Sequence, residues 1–82
     1  MTYEEELSKI AQLKKDYLQT FNTDAGQRVL EDLKKRFFWY VPTYSSRDGE
    51  TQLNEGGRKV LLTIQSIMEL PIKELKKELG KV

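Results

Sequence analysis

The chain has no cysteine and no histidine among its 82 residues. Without cysteine there is no disulfide, no thiolate nucleophile and no cysteine-ligated zinc or iron. Without histidine the usual general base near neutral pH, the commonest metal ligand and the ordinary pH switch are missing. Nor does one sign of charge dominate. With 14 basic and 13 acidic side chains the formal charge is +1, so no global field draws the chain to nucleic acid or to an anionic membrane. No run approaches the ~20 apolar residues of a membrane span, and the opening Met1-Thr2-Tyr3-Glu4-Glu5-Glu6 is acidic where a secretory signal is basic and then apolar. A cytosolic protein folded as one domain over residues 1–82 is expected. A domain this small buries only about 60–65% of its unfolded surface, which leaves little room for an enclosed substrate cavity beside the core.

Glycine and proline are also scarce, five and two, so each position carries information. Two glycine-marked segments, Thr23-Asp24-Ala25-Gly26-Gln27-Arg28-Val29-Leu30 and Asn54-Glu55-Gly56-Gly57-Arg58-Lys59-Val60-Leu61, each lead into an apolar helical stripe. Glycine in a helix costs roughly 1 kcal/mol against alanine, which predicts close backbone packing or a partner at those places. Pro42 and Pro71 mark the other boundaries.

The periodicity predicts an all-α fold, a small bundle of three main helices plus a short C-terminal one. In the first helix, over about 3–20, Leu7, Ile10, Leu13, Tyr17, Leu18 and Phe21 share a face, with Glu4, Glu5 and Glu6 in the first turn and Lys14 and Lys15 toward the end. The second is expected to take its break and cap from Asn22-Thr23-Asp24, with Gln27 three residues after Asp24 in capping-box position, and to carry Val29, Leu30, Leu33 and Phe37 inward. It should end among Phe37-Phe38-Trp39-Tyr40, because Pro42 forces the chain out of helical geometry. From Val41 to Gln52 the composition is that of a long loop, with Asp48-Gly49 as a tight turn and a short hairpin as one option. The third helix is expected from Leu53 or Asn54 to Leu70, as the central core helix, with Leu53, Gly57, Val60, Leu61, Ile64, Ile67 and Met68 along its stripe. After Pro71, Ile72, Leu75 and Leu79 predict a fourth helix closed by Gly80, with Lys73, Glu74, Lys76, Lys77, Glu78 and Lys81 as a mixed-charge outer face.

No carboxylate pair sits in an apolar context that would separate two pKa values for acid and base catalysis, and no acidic spacing matches a calcium or magnesium loop. No catalytic residue, metal site or cofactor is therefore expected. Gly56-Gly57-Arg58-Lys59 has the composition of a phosphate cradle but not its spacing, so helix packing is the better reading. Lys34-Lys35-Arg36-Phe37-Phe38-Trp39-Tyr40, with Tyr44 and Arg47 beyond, mixes cations with rings. That combination serves single-stranded nucleic acid binders, protein interfaces and the caps of small cores alike; the balanced net charge argues against the first.

The order Phe21-x-x-Asp24-x-Gly26-Gln27-x-Val29-Leu30-x-x-Leu33, an aromatic-containing loop, then Asn54-Glu55-Gly56-x-Arg58 and an apolar helix resembles a family of small tailed-phage proteins whose named example comes from a Bordetella podovirus. The resemblance covers about residues 21–70. Such genes lie among virion and packaging genes, so it implies a structural or morphogenetic accessory role, in the host cytoplasm or the virion, with no catalytic residues to transfer.

The expectation is thus a non-enzymatic domain that binds a protein, as a minor virion component or assembly factor, through Arg36, Trp39, Tyr40, Tyr44 and Arg47. Gly26 and Gly57 are expected as packing positions, and Arg58 as a residue fixing the long loop. The alternatives are a small inhibitor of a host enzyme or defence complex and, third, a single-stranded nucleic acid binding module. The apolar stripe of the first helix also allows a homo-oligomer.

Overall fold

The computed structural model describes residues 2–80, with side chains through Glu78. The expected roles of Met1, Lys81 and the Leu79 side chain lie outside the described residues. Four helices follow one another: α1 (Tyr3–Phe21), α2 (Asp24–Arg36), α3 (Glu50–Met68) and α4 (Ile72–Gly80). The described residues contain no strand, so the segment around Pro42 is a loop and not a hairpin.

Thr2 caps α1, its hydroxyl accepting from the Glu5 N–H at 3.1 Å, and the three glutamates of the first turn face the positive end of the helix dipole. Asn22 and Thr23 alone separate α1 from α2. Of the expected Asn22-Thr23-Asp24 segment it is Thr23 that caps α2, its hydroxyl accepting from the Gly26 N–H at 3.0 Å. Asp24 instead occupies the first turn, where its charge meets the dipole. Gln27 does not close a capping box either: its side-chain amide donates to the Phe21 carbonyl at 2.8 Å and ties α2 to the end of α1.

This junction requires Gly26. It is buried, and a Cβ there would meet the carbonyl oxygen of Thr20 and lie 2.6 Å from the Phe21 Cα. These are backbone atoms that no rotamer change can remove.

Leu30, Leu61 and Ile64 form the core cluster, with Tyr17, Phe21, Leu33, Trp39 and Met68 packed around it, and Leu7 is buried as well. α3 was expected to be central, yet α1 is the element that contacts all three others. The reason lies at Pro71. It separates α4 from α3, and α4 then lies on α1, lining a shared groove with Ala11, Lys14, Lys15 and Leu18. Lys14 reinforces the bend by donating to the Leu70 carbonyl at 2.6 Å. Several stripe positions remain outside the core: Ile10 and Leu13 on α1, Val29 on α2, and Leu53 and Val60 on α3 are exposed.

Candidate functional site

The aromatic run begins where α2 ends. Phe37 is the C-cap, its N–H bonding the Leu33 carbonyl at 2.9 Å. Phe38 adopts φ 63°, the left-handed region where glycine is usual, and the Trp39 N–H returns to the Lys34 carbonyl at 3.2 Å. This closure reverses the chain and sends consecutive rings in different directions. Phe37 folds onto α3, where its Cδ1 would be 2.9 Å from a Cβ on Gly57. Gly57 thus makes room for a ring at the end of α2 and not for a whole helix. Trp39 turns back onto the core cluster with the Lys34 ammonium 5.1 Å from its ring centre, a cation–π contact.

Tyr40 and Arg36 both engage the acidic side of α2. The Tyr40 hydroxyl donates to the Glu31 carboxylate at 2.8 and 2.9 Å. This bond stabilises the protonated phenol and holds its pKa above the ordinary tyrosine value, with slight desolvation and the Glu31 charge acting the same way. Arg36 Nε lies 2.8 Å from Asp32 Oδ2 in an exposed i,i+4 pair, which raises the guanidinium pKa further.

Tyr44 and Arg47 lie farther along, on the loop before α3. α3 begins at Glu50, three to four residues before the expected start. Gly49 makes this possible: at φ 76° it turns the chain into the helix, and its carbonyl accepts from the Leu53 N–H at 3.3 Å. Thr51, which reads as loop by composition, and Asn54 are both helical and hold the loop. The Thr51 hydroxyl accepts from the Ser45 N–H at 2.8 Å and donates to the Ser45 carbonyl at 3.2 Å. Asn54 Nδ2 donates to the Thr43 carbonyl at 3.1 Å. Arg58 is exposed, and these loop bonds come from Thr51 and Asn54. Arg47 Nη1 stands 3.7 Å from Glu50 Oε2 and is otherwise open to solvent.

The five residues singled out from the sequence therefore divide. Trp39 is half-buried against the core, Arg36 and Tyr40 are bound to α2 acids, and Tyr44 and Arg47 stand outward on a pinned loop. Sequence reasoning missed Val41 as a solvent-facing apolar residue beside Tyr40, and took Leu53 for core although it is 77% exposed. Alternation along the loop gives no signal for the first. For the second, the signal lay in the polar neighbours Thr51 and Asn54, which place the loop on their own side of the helix. No group of three or more Asp or Glu residues that could hold a metal occurs among the described residues. No helix among them is long and apolar enough to cross a membrane.

The sequence profile of the Bbp19-like phage proteins matches residues 17–79. The chain belongs to that family. The match extends past the expected 21–70 at both ends, taking in the last turn of α1 and nearly all of α4, so the Bbp19-like unit includes the helix beyond Pro71. No curated protein and no solved structure matches the chain significantly.

Proposed function

We propose that this Bbp19-like chain is a non-enzymatic protein-binding domain, a minor virion component or assembly accessory of a phage, and that the loop between α2 and α3 is its contact surface. One observation carries the reading: Tyr44 is 78% exposed on a loop that Thr51 and Asn54 hold in place. A large ring held outward without packing against its own chain, beside exposed Tyr40 and Val41 and the open guanidinium of Arg47, has the composition of an interface anchor. Pinning lowers the entropy lost when a partner orders the loop. Family membership supports a phage context, and a virion or assembly role is the reading of that context.

The test is quantitative mass spectrometry of purified particles of the source phage, counting copies of this chain per major capsid protein. A reproducible stoichiometric copy number supports the virion role, and Tyr44→Ser should then lower incorporation several-fold without unfolding the chain. Expression during infection with absence from particles refutes the virion role and moves the loop's partner to a host protein. Trp39→Ala is a poor probe, because its ring is part of the core and loss of binding would be confounded with loss of fold.

A further inference from the structure

Among the described residues α4 packs against α1 and against no other helix, and the two leave a groove of about 480 Å³ between them. Leu18 and Ile72, both half-buried, form its apolar floor. Around that floor stand Lys14 and Lys15 of α1 and Lys73 and Lys76 of α4, with Glu74 as the one carboxylate in the lining. The whole chain carries a formal charge of +1, so four lysines against one glutamate concentrate positive charge here and leave the remainder net negative.

Within the chain little neutralises these lysines. Lys15, Lys73 and Lys76 are exposed and make no ion pair or hydrogen bond among the described residues. Lys14 is held in place: its ammonium donates to the Leu70 carbonyl at 2.6 Å and keeps two protons for another acceptor. The ammoniums repel one another across the groove, and an occupant that brings carboxylates relieves the repulsion.

The lining also says what kind of anion fits. Among the described residues it holds no aromatic ring and no arginine, so it offers neither a stacking platform for bases nor a bidentate clamp for phosphate. Lysine ammoniums are point charges that take carboxylates in many orientations, and an aliphatic floor suits leucine-like side chains. Lys14, Lys15 and Leu18 follow Ala11 along one face of α1, a span of about 10 Å or two turns of a second helix. We propose that the α1–α4 groove binds an acidic amphipathic helix of a partner protein. Two of its apolar side chains, one turn apart, lie on Leu18 and Ile72, and its flanking carboxylates reach Lys14, Lys15, Lys73 and Lys76. The groove shares no residue with the loop that carries Tyr44, so this is a second contact surface, beyond the loop reading.

Fluorescence anisotropy with the full chain tests this. The probe is a fluorescein-labelled peptide of about 14 residues with leucine along one helical face, glutamate flanking it and alanine elsewhere. The native chain should bind it saturably, and more weakly as salt rises from about 50 to 500 mM. Lys15→Glu should weaken binding, and Lys73→Glu combined with Lys76→Glu should weaken it roughly ten-fold or more. Lys77→Glu, the same charge change on α4 outside the groove, should shift it by no more than about two-fold. All these positions are exposed, so circular dichroism should show the helices intact in each variant. A peptide with serine in place of leucine should bind roughly ten-fold or more weakly, and Tyr44→Ser should bind the probe like the native chain. Absence of saturable binding at low salt overturns the proposal. An equal loss with Lys77→Glu, or equal affinity for the serine peptide, also overturns it, since either means diffuse charge attraction without a seat in the groove. Lysine-dependent binding to phosphatidylglycerol vesicles with none to the peptide assigns the groove to a membrane surface and overturns it as well. A chain that ignores the peptide, yet is still lost from particles on Tyr44→Ser, leaves the loop reading standing while refuting this one.

Discussion

Alanine placed at each of three helical glycines should give three different results, because the surroundings of each glycine differ. At Gly26 the added Cβ meets the Thr20 oxygen and lies 2.6 and 2.8 Å from the Phe21 Cα and carbonyl carbon. The α1–α2 junction must open, at an overpacking cost of about 1–3 kcal/mol or more, and only about 1 kcal/mol returns through helix propensity. At Gly57 the obstacle is the edge of the Phe37 ring at 2.9 Å, a side chain 42% exposed that can swing outward, so the two effects nearly cancel. At Gly56 nothing is in the way, and the full gain of about 1 kcal/mol appears as stability. For a domain of this length 1 kcal/mol moves the midpoint by roughly 4–8 °C. Thermal unfolding followed at the helical circular dichroism band should rank the variants Gly56→Ala above native and Gly26→Ala below it, with Gly57→Ala close to native. If Gly26→Ala melted at or above Gly56→Ala, the reading of the α1–α2 junction as a backbone contact would be wrong.

Two leucines of α3 should differ in the same way. Leu61, 3% exposed, should cost about 2–5 kcal/mol when cut to alanine. That is enough to unfold much of a small domain near the low end of native stability. Leu53→Ala should leave the midpoint within a few degrees of native, and a large loss there would refute its placement outside the core. Tyr40 should titrate above the ordinary tyrosine value in an ultraviolet pH titration, because its hydroxyl donates to the Glu31 carboxylate. Since its folded pKa is raised, the stabilising contact is complete below the unfolded value near 10 and is lost as pH rises through the folded value. Glu31→Gln should return Tyr40 to the ordinary range, and an unchanged titration would show that the bond does not form in solution. Thr51→Val removes both bonds to Ser45 at nearly constant volume, so hydrogen exchange of the Ser45 amide should quicken by roughly ten-fold or more, as loss of a bond worth about 1 kcal/mol or more allows. No change would mean the loop is held elsewhere.

Helix number, class and order were legible in the residues because an apolar repeat of 3.6 can be buried in only one way, and because Pro42 and Pro71 cannot continue a helix. Family membership was legible for a similar reason: the order of Asp24, Gly26, Gln27, Val29 and Leu30 before Asn54, Glu55, Gly56 and Arg58 lies in the chain itself. The start of α3 was not legible. Thr51 and Gln52 are polar enough to suit a loop, and only the positive φ of Gly49 and the bonds from Thr51 to Ser45 make that turn helical.

Which apolar positions are core was decided by the tertiary structure alone. Periodicity put Leu53, Val60, Leu61 and Ile64 on one stripe, but a stripe is wider than the line along which a neighbouring helix touches it. α1 occupies the centre and α4 turns away at Pro71, so Leu61 and Ile64 are covered while Leu53 and Val60 are left in solvent. The same holds for the rings. Four consecutive aromatics are indistinguishable along the chain, and the left-handed turn at Phe38 sends Phe37 onto Gly57, Trp39 to the core and Tyr40 to Glu31. Sequence fixes which surfaces are apolar; packing, a sum over distant neighbours, decides which remain free for a partner.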